Sequence, residues 1–157
     1  MEIRRAALAD LELVAGVLEE AAAWLRSRGI DQWPARFDRE VLADQFRRCD
    51  WYLGREGARA VGTFNLWRED PEMWGDRPAD ALYVHRLAVR RSHAGHGGEL
   101  LTSAERETRA AGRRWLRLDC SALNPGLCGY YERAGFRRAG TRAWRNGWVS
   151  GLYEKEV

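Results

Sequence analysis

Hydrophobic positions change period several times along the chain, and each change marks an element. Leu11, Val14, Leu18, Ala21, Ala22 and Leu25 recur at helical spacing, predicting a helix from Asp10 to about Arg28 with its apolar stripe against a sheet. Asp10 stands where a cap is expected, and Gly29 ends the helix. A short edge strand over residues 2–6 precedes it, and a second helix is predicted from near Asp38 to Arg48. Residues 51–55 and 59–67 flank Glu56-Gly57-Ala58 as a hairpin, and the alternation from Val61 to Trp67 predicts a half-buried strand. Residues 68–78 are too polar and too broken by proline for regular structure, so a long acidic and aromatic loop is expected.

Farther on, residues 82–89 form an apolar, β-branched run of strand length, and Gly95, Gly97 and Gly98 follow within a few positions. The next predicted helix, residues 98–112, carries Leu100, Leu101, Ala104, Thr108 and Ala111 on one side. A strand over residues 115–120, a short helical pattern holding Tyr130 and Tyr131, and strands over residues 136–141 and 148–156 around Arg145-Asn146-Gly147 complete the chain. No repeat, linker or low-complexity tract interrupts it.

Composition narrows the class. At 157 residues, 45% hydrophobic and 31% charged, the chain suits a single domain over residues 1–157 with a real core. No apolar run approaches the ~20 residues of a membrane helix. The first residues, MEIRRAALADLELV, lack the apolar segment of a secretory signal, so a cytoplasmic protein without membrane attachment is expected. Net charge is +3, and Lys155 is the only lysine among 26 basic residues. Because acidic residues interleave with the arginines, no nucleic-acid partner is expected. Three cysteines, Cys49, Cys120 and Cys128, have neither disulfide nor zinc spacing. No metal is expected, because His93 and His96 lack a third ligand at binding spacing.

The chemistry concentrates after the central strand. Glycines without Cβ atoms at a strand-to-helix turn let backbone N–H groups face a phosphate. The same glycines also suit an ordinary tight turn, and neither a P-loop nor a full dinucleotide fingerprint is present. Arg86, Arg90 and Arg91 lie beside this loop and would suit phosphates.

Asn124, Tyr131, Glu132, Gly135 and Phe136 fit N-x-x-A-x-x-x-Y-E-x-x-G-F, with Leu127 in place of Ala. Together with the glycine loop, this segment resembles the GNAT superfamily of acyl-CoA-dependent N-acetyltransferases, across about residues 81 to 140. The resemblance implies an α/β (α+β) three-layer fold. Its mixed central sheet has six to seven strands, one pair of them splayed, and about four helices flank it.

The implied cofactor is acetyl-CoA (coenzyme A). Its pyrophosphate would meet Arg91, His93, Ala94, Gly95, His96, Gly97 and Gly98, and its pantetheine arm would meet the backbone of Leu87, Ala88 and Val89 and the side chain of Asn124. Tyr131 takes the family's general-acid position, and His85 matches a histidine that arylalkylamine acetyltransferases use in deprotonation. Strand alternation puts Tyr83, His85 and Leu87 on one face. Trp24, Gln32 and Trp33 would wall the acceptor site, and Glu69 and Asp70 would attract a cationic amine. One departure stands out: the loop is about two residues shorter than the family's [QR]-x-x-G-x-[GA] pattern, with Ala94 or Ser92 at the Gln/Arg position.

The leading expectation is N-acetylation of a small-molecule amine. A protein N-terminus or lysine as acceptor, and a non-catalytic acyl-CoA sensor, remain alternatives, and a homodimer is compatible with each.

Overall fold

The computed structural model describes residues 1–157. In chain order its elements are β1 (Glu2–Arg5), α1 (Leu11–Ser27), α2 (Arg39–Arg48), β2 (Asp50–Glu56), β3 (Arg59–Trp67), α3 (Pro71–Trp74), β4 (Ala81–Val89), α4 (Gly97–Ala110), β5 (Trp115–Ser121), α5 (Pro125–Arg133), β6 (Arg137–Ala143) and β7 (Val149–Glu156). The strands make one mixed seven-stranded sheet in the order β1-β2-β3-β4-β5-β7-β6. No helix is long and apolar enough to cross a membrane. The chain forms two compact units, Met1–Leu66 with Arg86–Ser103 and Trp67–His85 with Ala104–Val157.

In the first unit β1, β2 and β3 pair antiparallel, and Gly57 turns the β2–β3 hairpin with φ 57°. Val14, Val17 and Leu18 bring the apolar stripe of α1 into a core with Leu42, Trp51, Leu53, Val61 and Phe64, all fully buried. Packing at Gly62 is tight: a Cβ there would lie 3.0 Å from Leu100 Cδ1 and 3.3 Å from the Ala88 carbonyl oxygen. Asp38 caps α2 by accepting from the Glu40 and Val41 amides at 2.8 and 3.2 Å. Asp10 departs from expectation. Its carboxylate turns back to Arg4, at 2.7 and 2.8 Å, and to the Ala7 amide at 2.9 Å, closing a 3-10 turn before α1 and not capping the helix with its side chain.

In the second unit β4 pairs parallel with β5 from Ala81↔Trp115 to Val84↔Leu118, and the pairing stops there although β5 runs to Ser121. β7 lies antiparallel to both β5 and β6. Trp74, Ala81, Tyr83 and Leu152 form a core cluster flanked by Trp67, Met73 and Trp115. Trp74 and Met73 come from α3, which replaces part of the expected irregular loop. Pro71 fits its first turn, where no amide donor is needed, and the Asp70 side chain caps it.

One residue breaks the strand alternation expected along β4. Arg86 adopts φ 55°, in the left-handed region, so the face rule that holds from Ala81 to His85 does not carry on to Leu87.

Candidate active site

The second unit gathers three titratable side chains on one face. Parallel register sets Tyr83 beside Arg117, so the next positions on that face are His85 and Asp119. Asp70 reaches the same place from the cap of α3, where Oδ1 accepts from the Met73 amide at 3.3 Å and Oδ2 lies 3.0 Å from His85 Nε2. The Trp67 ring meets the His85 ring edge-on at 6.5 Å. Donor atoms of Asp70, His85 and Asp119 lie within 4.8 Å of one another, close enough to hold a metal ion. A histidine paired with a carboxylate accounts for that closeness without one.

Electrostatics separates the two acids. Burial, reinforced by the Asp70 charge, pushes the Asp119 carboxyl above its ordinary range, while His85 pulls it down. His85 turns Nε2 toward Asp70 Oδ2, so Nδ1 is the ring nitrogen left for another partner.

A buried arginine anchors this face. Arg117 Nε donates to Glu154 at 3.2 Å and Nη1 donates to the Tyr83 hydroxyl at 3.1 Å, while Asp80 lies 3.4 Å away. Its guanidinium also stacks over Trp74 at 5.3 Å. Burial opposes the charge, but hydrogen bonds to Tyr83 and Glu154 outweigh it and leave the Arg117 pKa raised.

Tyr131 lies in α5 with its ring against Phe136 and Tyr130 at 5.9 and 5.4 Å. Burial raises its pKa, so the hydroxyl, protonated at neutral pH like any tyrosine's, is a weaker acid that yields its proton only to a strong base. Asn124 caps α5: Oδ1 accepts from the Leu127 amide at 3.0 Å, so its side-chain amide group is what remains for a ligand. Cys120 and Cys128 bring their sulfurs to 3.9 Å. Burial pushes the Cys120 thiol up, which disfavours the thiolate a nucleophile needs.

The first unit carries the glycine loop. A 3-10 turn, Arg91–His93, follows β4, and α4 begins at Gly97. Gly95 has φ 105°, which a side chain would strain, and a Cβ at Gly95 or Gly98 would meet nothing within 4 Å. The Glu99 amide donates to the His96 carbonyl at 3.1 Å, whereas the Gly97 and Gly98 amides at the start of α4 have no backbone carbonyl partner, an arrangement that fits a diphosphate.

The loop's side chains are more committed than the sequence suggested. His93 Nε2 lies 3.2 Å from Glu56, and His96 Nδ1 lies 2.5 Å from Glu99, which also takes the N-terminal ammonium at 3.3 Å. Arg90 is held by Glu20 and the Ala60 carbonyl, and Arg91 stacks on Trp24 at 4.3 Å. Ala94 is exposed, Ala88 is buried, and Leu87 and Val89 are half-buried.

Of the expected acceptor contacts, Trp33 is half-buried, edge-on to Phe37 at 6.1 Å, and its carbonyl accepts from Arg26 at 3.2 Å. Gln32 is exposed, as is Glu69 in the second unit. The structure thus joins Asp70 to His85 and Trp24 to Arg91, while Glu69 and Gln32 take no part in either group. Asp119 escaped the sequence reading. Its signal was there in the alternation of β5, but only the register with β4 brings it to His85.

Residues 18–136 match the model of the acetyltransferase (GNAT) family. A Bacillus subtilis (strain 168) protein, the uncharacterized N-acetyltransferase YesJ, is 30% identical over 160 residues, which span 94% of this chain and 86% of that protein. Among solved structures, a GNAT-family acetyltransferase from Listeria monocytogenes 4b F2365 superposes with a TM-score of 0.79 at 26% identity, covering 99% of this chain and 94% of that one. The PaiA N-acetyltransferase of Thermoplasma acidophilum, solved in complex with coenzyme A, gives a TM-score of 0.76 at 19% identity over 99% and 98% of the two chains. With the family model spanning most of its length, and a relative of this identity spanning nearly all of it, the chain belongs to the GNAT acetyltransferase family.

Proposed function

We propose that the protein transfers an acetyl group from acetyl-CoA directly to the primary amine of a small molecule. The observation that carries this reading is the Asp70–His85 pair at 3.0 Å with Asp119 beside it, a built proton-accepting group where a cationic amine would be attracted. Support for the cofactor comes from family membership and from the Gly97 and Gly98 amides, which lack backbone carbonyl partners and suit its diphosphate.

Bound acetyl-CoA supplies the activated acetyl group and a thiolate leaving group. With the Nε2 side of His85 turned to Asp70, Nδ1 would take a proton from the amine, directly or through a water. A backbone N–H near Leu87 donates to the oxygen on which negative charge develops. The Tyr131 hydroxyl, protonated at neutral pH, gives its proton to the departing sulfur. Asn124 uses its side-chain amide group toward the pantetheine arm, its oxygen being engaged as a cap.

Calorimetry with acetyl-CoA, followed by free-thiol release across a panel of small amines, tests the reading. Binding with amine-dependent thiol release is expected. Binding without release for any amine would instead identify a sensor, and release only with peptides bearing a free N-terminus or lysine would move the acceptor to protein.

A further inference from the structure

Arg86 differs from the ion-paired arginines of the first unit. Arg4 is bonded to Asp10, Arg39 to Glu12 and Glu19, and Arg90 to Glu20. Arg86 has aromatic neighbours instead: its guanidinium carbon lies 5.1 Å from the Phe37 ring centre and 5.9 Å from that of Trp33. Burial lowers its pKa, and no carboxylate opposes the shift. Aromatic faces hold a guanidinium through its plane and leave the N–H donors at its edge unused. A half-buried cation in that condition lacks the counter-charge that would offset its lost hydration.

The backbone sharpens the point. Arg86 sits at φ 55°, where glycine would be free of strain and any side chain is not. Strain, burial and an unpaired charge coincide on one residue, and together they describe a receptor for an anion. A carboxylate fits best, because its two oxygens match the guanidinium fork and a single cation balances its single charge. A phosphate dianion would call for a second cation beside it, and Arg86 is the one cation over the Trp33 and Phe37 rings.

We propose that Arg86, backed by Trp33 and Phe37, binds the carboxylate of a small-molecule ligand, and that this ligand is the acceptor, an amine that also bears a carboxylate. The acceptor's role rests on the acetyl-transfer reading above; the carboxylate site does not.

The test compares L-phenylalanine with phenethylamine, and L-leucine with isoamylamine, pairs that differ by the carboxylate alone. Calorimetry on the full chain, with and without coenzyme A, is expected to show each amino acid binding about tenfold tighter than its decarboxylated partner, the size of one charge-assisted contact. In Arg86→Gln the preference should collapse to within about twofold, and Arg86→Lys, which keeps the charge without the fork, should retain part of it. The kcat/KM ratio for each pair should follow the same order. Equal binding within pairs, no binding of either amino acid, or a preference that survives in Arg86→Gln would overturn the proposal. So would a main effect of Arg86→Gln on acetyl-CoA affinity, which would assign the guanidinium to the cofactor. If Arg86→Gln fails to fold by circular dichroism, the wild-type preference and Arg86→Lys still decide. A preference in binding without acetylation supports the carboxylate site and sinks only the acetyl-transfer reading.

Discussion

Asp70 Oδ2 and His85 Nε2 stand 3.0 Å apart, one carried by the cap of a single helical turn and the other by a strand. The cap geometry matters because it spends one Asp70 oxygen on the Met73 amide and aims the other at the imidazole. A carboxylate beside an imidazole favours the imidazolium, which suits the proton-accepting role proposed for His85.

Asp70→Asn is expected to lower kcat/KM by about a hundredfold, within the range of general-base effects. Asparagine also caps helices, so α3 should persist, but its neutral amide group no longer favours the imidazolium. Steady-state kinetics with acetyl-CoA affinity measured alongside checks this. Unchanged kcat/KM would remove Asp70 from the proton path.

Tyr131→Phe keeps the ring that packs on Phe136 and removes only the hydroxyl. Turnover should fall by about a hundredfold, with acetyl-CoA affinity changed by less than about threefold. A variant with wild-type turnover would place the general acid elsewhere.

The buried thiols predict an alkaline weakness. Burial, with the Asp50 charge adding, raises Cys49 from 9.0 to about 12, and burial raises Cys120 as well. Folding therefore favours the protonated thiols. Their stabilisation is complete below the unfolded value near pH 9 and is lost as pH climbs toward the folded values. Melting temperatures from about pH 8 to about pH 11 should decline, and the double variant Cys49→Ala/Cys120→Ala should decline less steeply. Parallel curves would show that the thiols do not contribute.

Burial should also separate two arginines that share one acid. Arg117 and Glu154 have side chains 4% and 9% exposed, whereas Arg137, 2.6 Å from the same glutamate, is 67% exposed. Denaturant unfolding should show Arg117→Ala costing about 3 kcal/mol, because a charge is left buried without its main partner. Arg137→Ala should cost less than about 1 kcal/mol. Similar losses for the two would mean that burial does not govern the network.

Legibility followed the range of the interactions involved. The helical stripe of α1 and the hairpins at Gly57 and Gly147 depend on local periodicity and turn chemistry, and they could be read directly. The acid-to-histidine grouping could be read only in part. Asp70 was visible as an acidic residue in a loop, but its aim at His85 depends on α3, which forms because Trp74 and Met73 find the core cluster. Asp119 required the β4–β5 register, a long-range pairing that no local pattern encodes. The alternation expected along β4 failed at Arg86 for another reason. Strand alternation assumes regular φ, and its left-handed backbone breaks the pattern where its side chain meets Phe37.

The most direct test measures amine-dependent thiol release from acetyl-CoA by the wild type and by His85→Gln, side by side, from about pH 6 to about pH 9. Amine-dependent release by the wild type that in His85→Gln is at least tenfold weaker and follows a different pH profile is the predicted result. Wild-type release that is absent for every amine, or equal rates and equal pH profiles for the two proteins, would contradict proton transfer at His85 as the centre of the chemistry.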